Sequence, residues 1–501
     1  MSMRIDVRLL SWAGVPRRGL RGAKTCHMSL QRATAPTTMA AMACVVLGSA
    51  WAPAVRAADL GGDCCAQIEE RIAELEETLV RTGNRKVHVT ISGRLSHAIL
   101  AWDDGSERNV YQVMNSNSSD RFRFEGHVKL NKDLEVGYFV ELGLSQPSSS
   151  NVTQLNDDAR SSALETDKSL WFVRSDRLGT LSIGLASAAT DDVLAYNLGG
   201  TNVAASSDVS SVGGGFFTRD STVAGAAGLN NLSSGNTMSL RWRRFAPEIG
   251  TPSEELIRYD SPVFMGFVAS ASWGDDDFWD VSLRYAHDGR QFRVAGAIGY
   301  YENRAEDDDT FGWPPGGDSE PGNGNSVVRE FQASASILHV PSGMFLSGAY
   351  LHREFSGSDP GMLTFACFTS SDAAAIRAAG VPCTNRPDFD YFWLNAGIRR
   401  KFFSLGYTSI YGEYARSEDA VTGLNVSVAS AVGGDIDYVT ESTMQVWGVG
   451  IVQHISAAQM DLFFSYGRLS AEVKGLESDG RSVVAPLEDV GLFLAGSRIR
   501  F

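Results

Sequence analysis

Nothing in this chain stays apolar long enough to cross a bilayer as a helix. A hydrocarbon core of ~30 Å asks for about 20 consecutive apolar residues. The run from Met39 to Ala52 (MAAMACVVLGSAWA) has 14. Any membrane crossing therefore falls to strands, which satisfy their backbone groups in lipid only by closing into a barrel. Proline is scarce too, at 15 residues beside 51 glycines, a composition that suits a barrel better than a typical enzyme. No G-x-S-x-G, H-E-x-x-H or phosphate-cradling glycine loop occurs, and the histidines are scattered singly. The chain therefore offers no hydrolase, zinc or nucleotide motif, and no cofactor or metal is expected. Basic charge is the third shortage. Residues 1–57 hold eight of the 44 Lys and Arg and one of the 59 Asp and Glu, which leaves 36 basic against 58 acidic residues, a net −22. So acidic a body excludes nucleic acid as a partner.

Cysteine is also thinly used. Cys26 and Cys44 lie in the leader, and Cys44 follows Ala41-Met42-Ala43, a poor lipidation site. Cys64 and Cys65 are adjacent, too close to bridge without backbone strain. Cys367 and Cys383, with 15 residues between them, share one long loop. In an exported, oxidising setting a disulfide is expected there, with a two-cysteine metal site as the alternative.

The front of the chain carries an export signal. Arg17, Arg18, Arg21, Lys24 and Arg32 precede the short apolar run, and Val55-Arg56-Ala57 places small residues at −3 and −1 of a cleavage site. The signal spans 1–57. A start at Met28 would give a more ordinary length, so 1–27 looks like a gene-model extension. Residues 58–84 follow as a periplasmic segment. Within it Ile68, Ile72, Leu75 and Leu79, with acids between them, predict a two-heptad amphipathic helix over 66–81. Such a short helix is marginal alone, so it needs either its own barrel or two further copies to pack against.

From residue 85 to 501 the period is 2. Val87, Val89, Ile91, Gly93 and Leu95 alternate with His88, Thr90, Ser92, Arg94 and Ser96. Phe122, Phe124, Gly126 and Val128 alternate with Arg121, Arg123, Glu125, His127 and Lys129. The end of the chain does the same: Phe493, Ala495, Ile499 and Phe501 share one face, and Gly496, Arg498 and Arg500 the other. Apolar residues outward and charges inward, strand after strand, describe a transmembrane β-barrel and do not suit a soluble sandwich. Short connections (131–133, 175–179, 261–262, 288–290, 340–343, 401–404, 456–459) alternate with long ones (145–167, 187–253, 303–326, 353–389, 417–439, 471–486). This is the spacing of periplasmic turns and extracellular loops, and it predicts sixteen strands, enough for an aqueous lumen. Trp102, Tyr300, Tyr301, Tyr350, Tyr391, Trp393 and Tyr414 are expected in interfacial girdles. Ile499 and Phe501, in phase at the closing strand, are expected to act as an assembly signal.

Several segments resemble the alphaproteobacterial general porins of the rhizobial type. They are ADLGGDCCAQIEERIAELE, GNRKVHVTISGRLSHAILAWDDG, GTLSIGLASAATDDV (179–193), DVSSVGGGFFTR (208–219), RYDSPVFMGF (258–267), TSIYGEYA (408–415) and the terminal GSRIRF. The resemblance covers nearly all of 58–501 and departs in the long loops 303–326 and around Cys367–Cys383. It implies an outer-membrane homotrimer surrounded by lipid and lipopolysaccharide, inserted by the barrel-assembly machinery, through which small hydrophilic solutes and ions diffuse. It also implies that loop 187–253 folds into the lumen. Asp191, Asp192 and Asp208 on that loop would then face Arg94, Arg121 and Arg123 on the wall, with a modest cation preference. The competing readings are a closed outer-membrane enzyme barrel and a tether whose 66–81 helix grips the cell wall. Conduction in planar bilayers separates a porin from both.

Overall fold

The computed structural model describes residues 87–501 apart from 145, 159–163, 232–237, 247–252, 275–277, 305–325, 359–361 and 429–435. The export signal over 1–57 and the helix over 66–81 lie outside the described residues.

Eighteen strands form one sheet. They are β1 (His88–Asp103), β2 (Arg108–Met114), β3 (Arg121–Lys129), β4 (Leu134–Leu144), β5 (Leu164–Ser175), β6 (Gly179–Ser187), β7 (Ser253–Asp260), β8 (Phe267–Gly274) and β9 (Trp279–Asp288). Then follow β10 (Phe292–Asn303), β11 (Val327–His339), β12 (Met344–Ser356), β13 (Phe389–Phe403), β14 (Gly406–Glu418), β15 (Tyr438–Ile455), β16 (Met460–Leu476), β17 (Ser482–Val484) and β18 (Val490–Arg500). All strand pairings are antiparallel, between chain neighbours except β1–β3 and β16–β18, and β18 closes on β1 from Arg94↔Arg500 to Asp103↔Gly491. Four of the eighteen are halves that make two wall strands. β2 and β3 pair with successive stretches of β1, and β17 and β18 with successive stretches of β16. The wall is therefore a closed barrel of sixteen antiparallel strands.

The seven turns at one end fall where the sequence places them, except that the one expected at 261–262 runs from 261 to 266 and the one expected at 401–404 is confined to 404–405. At the other end two connections, 104–107 and 275–278, are as short as turns and have no counterpart among the long segments read from the sequence. At 340–343 the chain reverses through Gly343, whose φ is 76° and where a Cβ would sit 2.2 Å from the Arg399 carbonyl oxygen, leaving no room for a side chain.

The outer face is greasy. Ile91 is 61 % exposed, Trp273 60 % and Phe464 51 %, an arrangement that only lipid or another subunit would favour. Near the loop end one aromatic stands on each of ten consecutive wall strands, from Trp273 on β8 to Phe493 on β18. Ring pairs knit it together: Trp279–Tyr300 (5.5 Å), Phe331–Tyr350 (6.5 Å), Phe392–Tyr414 (6.5 Å) and Trp447–Tyr466 (5.7 Å). The row ends at Ile257 on β7, opposite Trp273, and at Ala101 on β1, opposite Phe493. Tyr300, Tyr350 and Tyr414 belong to this girdle. Trp102, Tyr301, Tyr391 and Trp393 do not: each is buried on the inward face. The inner wall of β12–β18 is itself apolar because a long loop packs against it, so aromatic residues serve both faces there.

The closing strand ends at Phe501, whose backbone exchanges hydrogen bonds with Gly93 (2.9 and 3.1 Å). Its ring lies over Gly93 and 5.8 Å from Phe122, and a Cβ at Gly93 would sit 2.7 Å from that ring. Ile499 and Phe501 are both exposed on the outer face. In the loop 357–388, Cys367 and Cys383 are joined by a disulfide that closes around a short helix, α1 (Ser371–Ala378), capped by the Ser370 side chain.

Candidate functional site

The described parts of the connection between β6 and β7, 188–231 and 238–246, lie against the inner wall, and their bonds show how they are held. Arg258 on β7 donates from Nη1 to the carbonyls of Ser187 (3.0 Å) and Ala188 (2.8 Å), while Nε and Nη2 grip Asp260 (3.0 and 2.9 Å). On β9, Asp280 accepts from the backbone N–H (2.5 Å) and hydroxyl (2.6 Å) of Thr190, and from the Ser272 hydroxyl. Arg284, one turn of the pleat further, donates to the carbonyls of Ala189 (2.5 Å) and Asp191 (2.7 Å). Alternation places Asp280, Ser282 and Arg284 on one inward face of β9, and all three hold the loop.

From there the loop follows the wall. Leu198 donates its N–H to Ser336 on β11 (2.9 Å), and its carbonyl accepts from Arg399 on β13 (2.9 Å). Gly199 accepts from Ser409 on β14 (2.6 Å), and Ser207 accepts from Tyr391 on β13 (2.5 Å). Gly199 lies so close to Phe345 that a Cβ would meet the ring at 2.3 Å. Further on, Phe216 packs 5.2 Å from Trp102. The buried Arg219 then pairs with Asp104 (2.9 Å) and Glu107 (3.5 Å) at the loop end of the barrel.

The three loop acids have three different situations. Asp208 caps its own turn, accepting from Ser210 N (3.0 Å), Ser210 Oγ (2.6 Å) and Ser211 Oγ (2.8 Å). Asp191 lies 3.6 Å from Lys168 on β5. Burial works against its ionisation, and the Lys168 ammonium, a hydrogen bond from Ser187 and the Arg258 charge together hold the carboxyl below the usual carboxylate range. The neighbouring Asp191 charge pushes Asp192 above that range. Asp192 is exposed, sits at a left-handed φ of 63°, and has no ion-pair partner among the described residues.

Arg94, Arg121 and Arg123 stand together on the inward faces of β1 and β3, where the wall is broken. β1 pairs with β2 over 97–103 and with β3 over 88–94, and the chain between them, 115–120, leaves the sheet. Asn115 and Asp120 stitch the gap through the Ser96 carbonyl (3.0 Å) and N–H (2.5 Å). The displaced segment meets the long loop, Asn115 Nδ2 donating to Val203 O (2.7 Å) and Ser206 to Asn117 (2.7 Å). Its backbone also holds Arg94, whose Nε donates to Ser119 O (2.9 Å).

The three arginines form part of a charged band that follows the strand pairing around the wall. His454 on β15 contacts Asp461 on β16 (2.9 Å), which pairs with Arg498 (2.7 Å) and Arg500 (3.3 Å) on β18. Arg500 is opposite Arg94, and Arg94 opposite Arg121. Arg121 (2.6 Å) and Arg123 share Glu141 on β4, which is opposite Lys168 on β5, the partner of Asp191. Sequence reasoning did not single out Arg258, Asp280, Arg284, Glu141, Lys168 or Asp461. Each sits on the polar face of an alternating strand, so its direction was readable, but its partner on a distant strand or loop was not.

A model of the Gram-negative porin family matches residues 40–327. Comparison with curated proteins finds no match. Among solved structures, an anion-selective porin from Comamonas acidovorans is 14 % identical, covering 83 % of this chain and 100 % of that one with a TM-score of 0.47. In-vitro folded OmpT, an outer membrane protein of Vibrio cholerae, is 11 % identical over 84 % and 99 % of the two chains, with a TM-score of 0.45. OprB of Pseudomonas putida is 10 % identical over 88 % and 97 %, also at 0.45.

Proposed function

We propose, from the premise that this chain belongs to the Gram-negative porin family and so forms an outer-membrane β-barrel channel rather than an enzyme, that it is a diffusion pore for small hydrophilic solutes and ions. The observation that carries this reading is the inversion of a soluble protein's plan. The outer surface is apolar, while a band of ionised side chains lines the inside from β15 to β5. Asp191 and Asp192 stand at one end of that band beside Lys168, and Arg94, Arg121 and Arg123 in its basic middle, so a solute moving along this wall meets charges of both signs. The cation preference expected from three loop acids is weakened here, because Asp208 is engaged as a cap and Asp191 is paired with Lys168.

The turn end faces the periplasm and the long loops face outward. The working unit is a homotrimer of the alphaproteobacterial general type, in which the sector lacking the aromatic row, β1 to β7, is turned toward the other subunits. The remaining sector meets lipid and lipopolysaccharide. Phe501, seated on Gly93, is the signal read by the barrel-assembly machinery, and deleting it should leave no heat-modifiable trimer on gels of outer-membrane fractions. Normal trimer from that deletion removes the assembly role. For the channel itself, purified trimer should give discrete conductance steps in planar bilayers. Folded trimer that inserts without conducting overturns the pore and favours the tether reading.

A further inference from the structure

We propose that Arg94, set between Arg121 and Arg500, is the centre of an anion station on the lumen wall, a site that takes the carboxylate or phosphate group of a passing solute. The proposal rests on the open-channel reading and adds a substrate class to it.

Strand register supplies the first argument. Arg500 on β18 lies directly opposite Arg94, and Arg94 directly opposite Arg121 on β3, so three inward guanidiniums occupy one row across three neighbouring wall strands. Like charges directly opposite one another destabilise a sheet. A row of three is an arrangement that folding alone disfavours, and it calls for a counter-charge.

The carboxylates nearby do not supply it at the centre. Glu141 serves Arg121 and Arg123, and Asp461 serves Arg498, Arg500 and His454. Asp120 accepts from Ser96 N with one oxygen and faces His97 with the other (3.0 Å). Glu125 stands two residues beyond Arg123 on the same face. Arg94 itself is anchored by a neutral group, the Ser119 carbonyl, and Arg498 extends Nη1 to the Ser118 hydroxyl (3.1 Å). The break in the wall thus positions two arginines without neutralising them.

Anchoring through Nε fixes the plane of the Arg94 guanidinium and leaves its two terminal nitrogens with no hydrogen-bond partner among the described residues. A planar fork held this way matches the two oxygens of a carboxylate or phosphate. Arg258 is the internal contrast: Nε, Nη1 and Nη2 all have protein acceptors, and nothing remains to offer a ligand.

Inorganic phosphate and malonate, titrated separately into potassium chloride across a bilayer holding wild-type trimer, test the station. Saturable reduction of chloride conductance by either anion is expected. Arg94→Gln should weaken that block about tenfold, the loss of one charge-assisted contact of ~1.4 kcal/mol or more. Arg94→Lys, which keeps the charge and loses the fork, should fall between the two. A linear response to both anions, or a block of full strength in Arg94→Gln, overturns the station while leaving the channel intact. Should Arg94→Gln yield no heat-modifiable trimer, Arg94→Lys carries the test, and full-strength block there overturns the fork. Wild-type trimer that never conducts overturns the channel reading instead.

Discussion

Two stretches of the lumen wall use arginine in opposite ways. On β7 and β9, Arg258 and Arg284 are buried, and their nitrogens hold loop carbonyls, a carboxylate and serine hydroxyls. On β1, β3 and β18, Arg94, Arg121, Arg123, Arg498 and Arg500 crowd one another on the inward face, and all but Arg94 share two carboxylates. The first group fixes the path of the loop; the second leaves charge available inside it. The residue type is the same, and the number of neutral and anionic acceptors around it decides which role it takes.

Removing an arginine from each wall is the strongest way to break this comparison. Arg258→Met leaves Asp260 buried and unpaired and frees two loop carbonyls, at a cost of about 3–5 kcal/mol. Lower trimer yield and noisier conductance are expected. Arg94→Met should instead be neutral or stabilising by ~0.2–1 kcal/mol, because it relieves two like-charge oppositions. Denaturation midpoints of the two variants check this, and equal losses would erase the distinction between the walls.

A smaller effect separates the loop acids. Asp191→Asn with Asp192→Asn should shift the zero-current potential toward anions with trimer yield unchanged. The shift should be clearest at 0.1 M salt, where the Debye length is ~10 Å. Asp208→Asn should barely move that potential, since its carboxylate caps Ser210 and Ser211. A shift of equal size in Asp208→Asn would place that side chain in the ion path after all.

The finest test is pH. The Asp191 charge raises the pKa of Asp192, and Lys168, with Ser187 and Arg258, lowers that of Asp191 against the effect of burial. As pH falls, Asp192 should lose its charge first, above the ordinary carboxylate value of ~3.9, and Asp191 later, below it. Selectivity should therefore drift toward anions in two steps. In Asp192→Asn the earlier step should vanish from the reversal potentials; its persistence would assign it to another group.

Much of the barrel was legible because alternation and turn spacing are local. Phe122 to Val128 against Arg121 to Lys129 assigns both faces of β3 without any knowledge of neighbours. The short connections 104–107 and 275–278 escaped notice because they lack the length that marked the other loops. The break at 115–120 escaped because a polar run such as Ser-Asn-Ser-Ser-Asp carries no signal for leaving a sheet. Tyr391 and Trp393 misled because Phe-Asp-Tyr-Phe-Trp-Leu is aromatic in both phases, and the inner phase was filled by a loop nearly two hundred residues away. The band of charges was half visible. Its members alternate in sequence, but strand register alone puts Arg94 between two other arginines.

The aromatic row has a mechanical meaning. Tyr and Trp favour the boundary between hydrocarbon and water, and here seven of them with three Phe line ten of sixteen wall strands near the loop end, while the other six strands have no aromatic in that row. A lone barrel gripped along one side would feel a torque and lean, thinning the bilayer on one flank and thickening it on the other. The proposed trimer, which turns the flank without the row toward the other subunits, would level it.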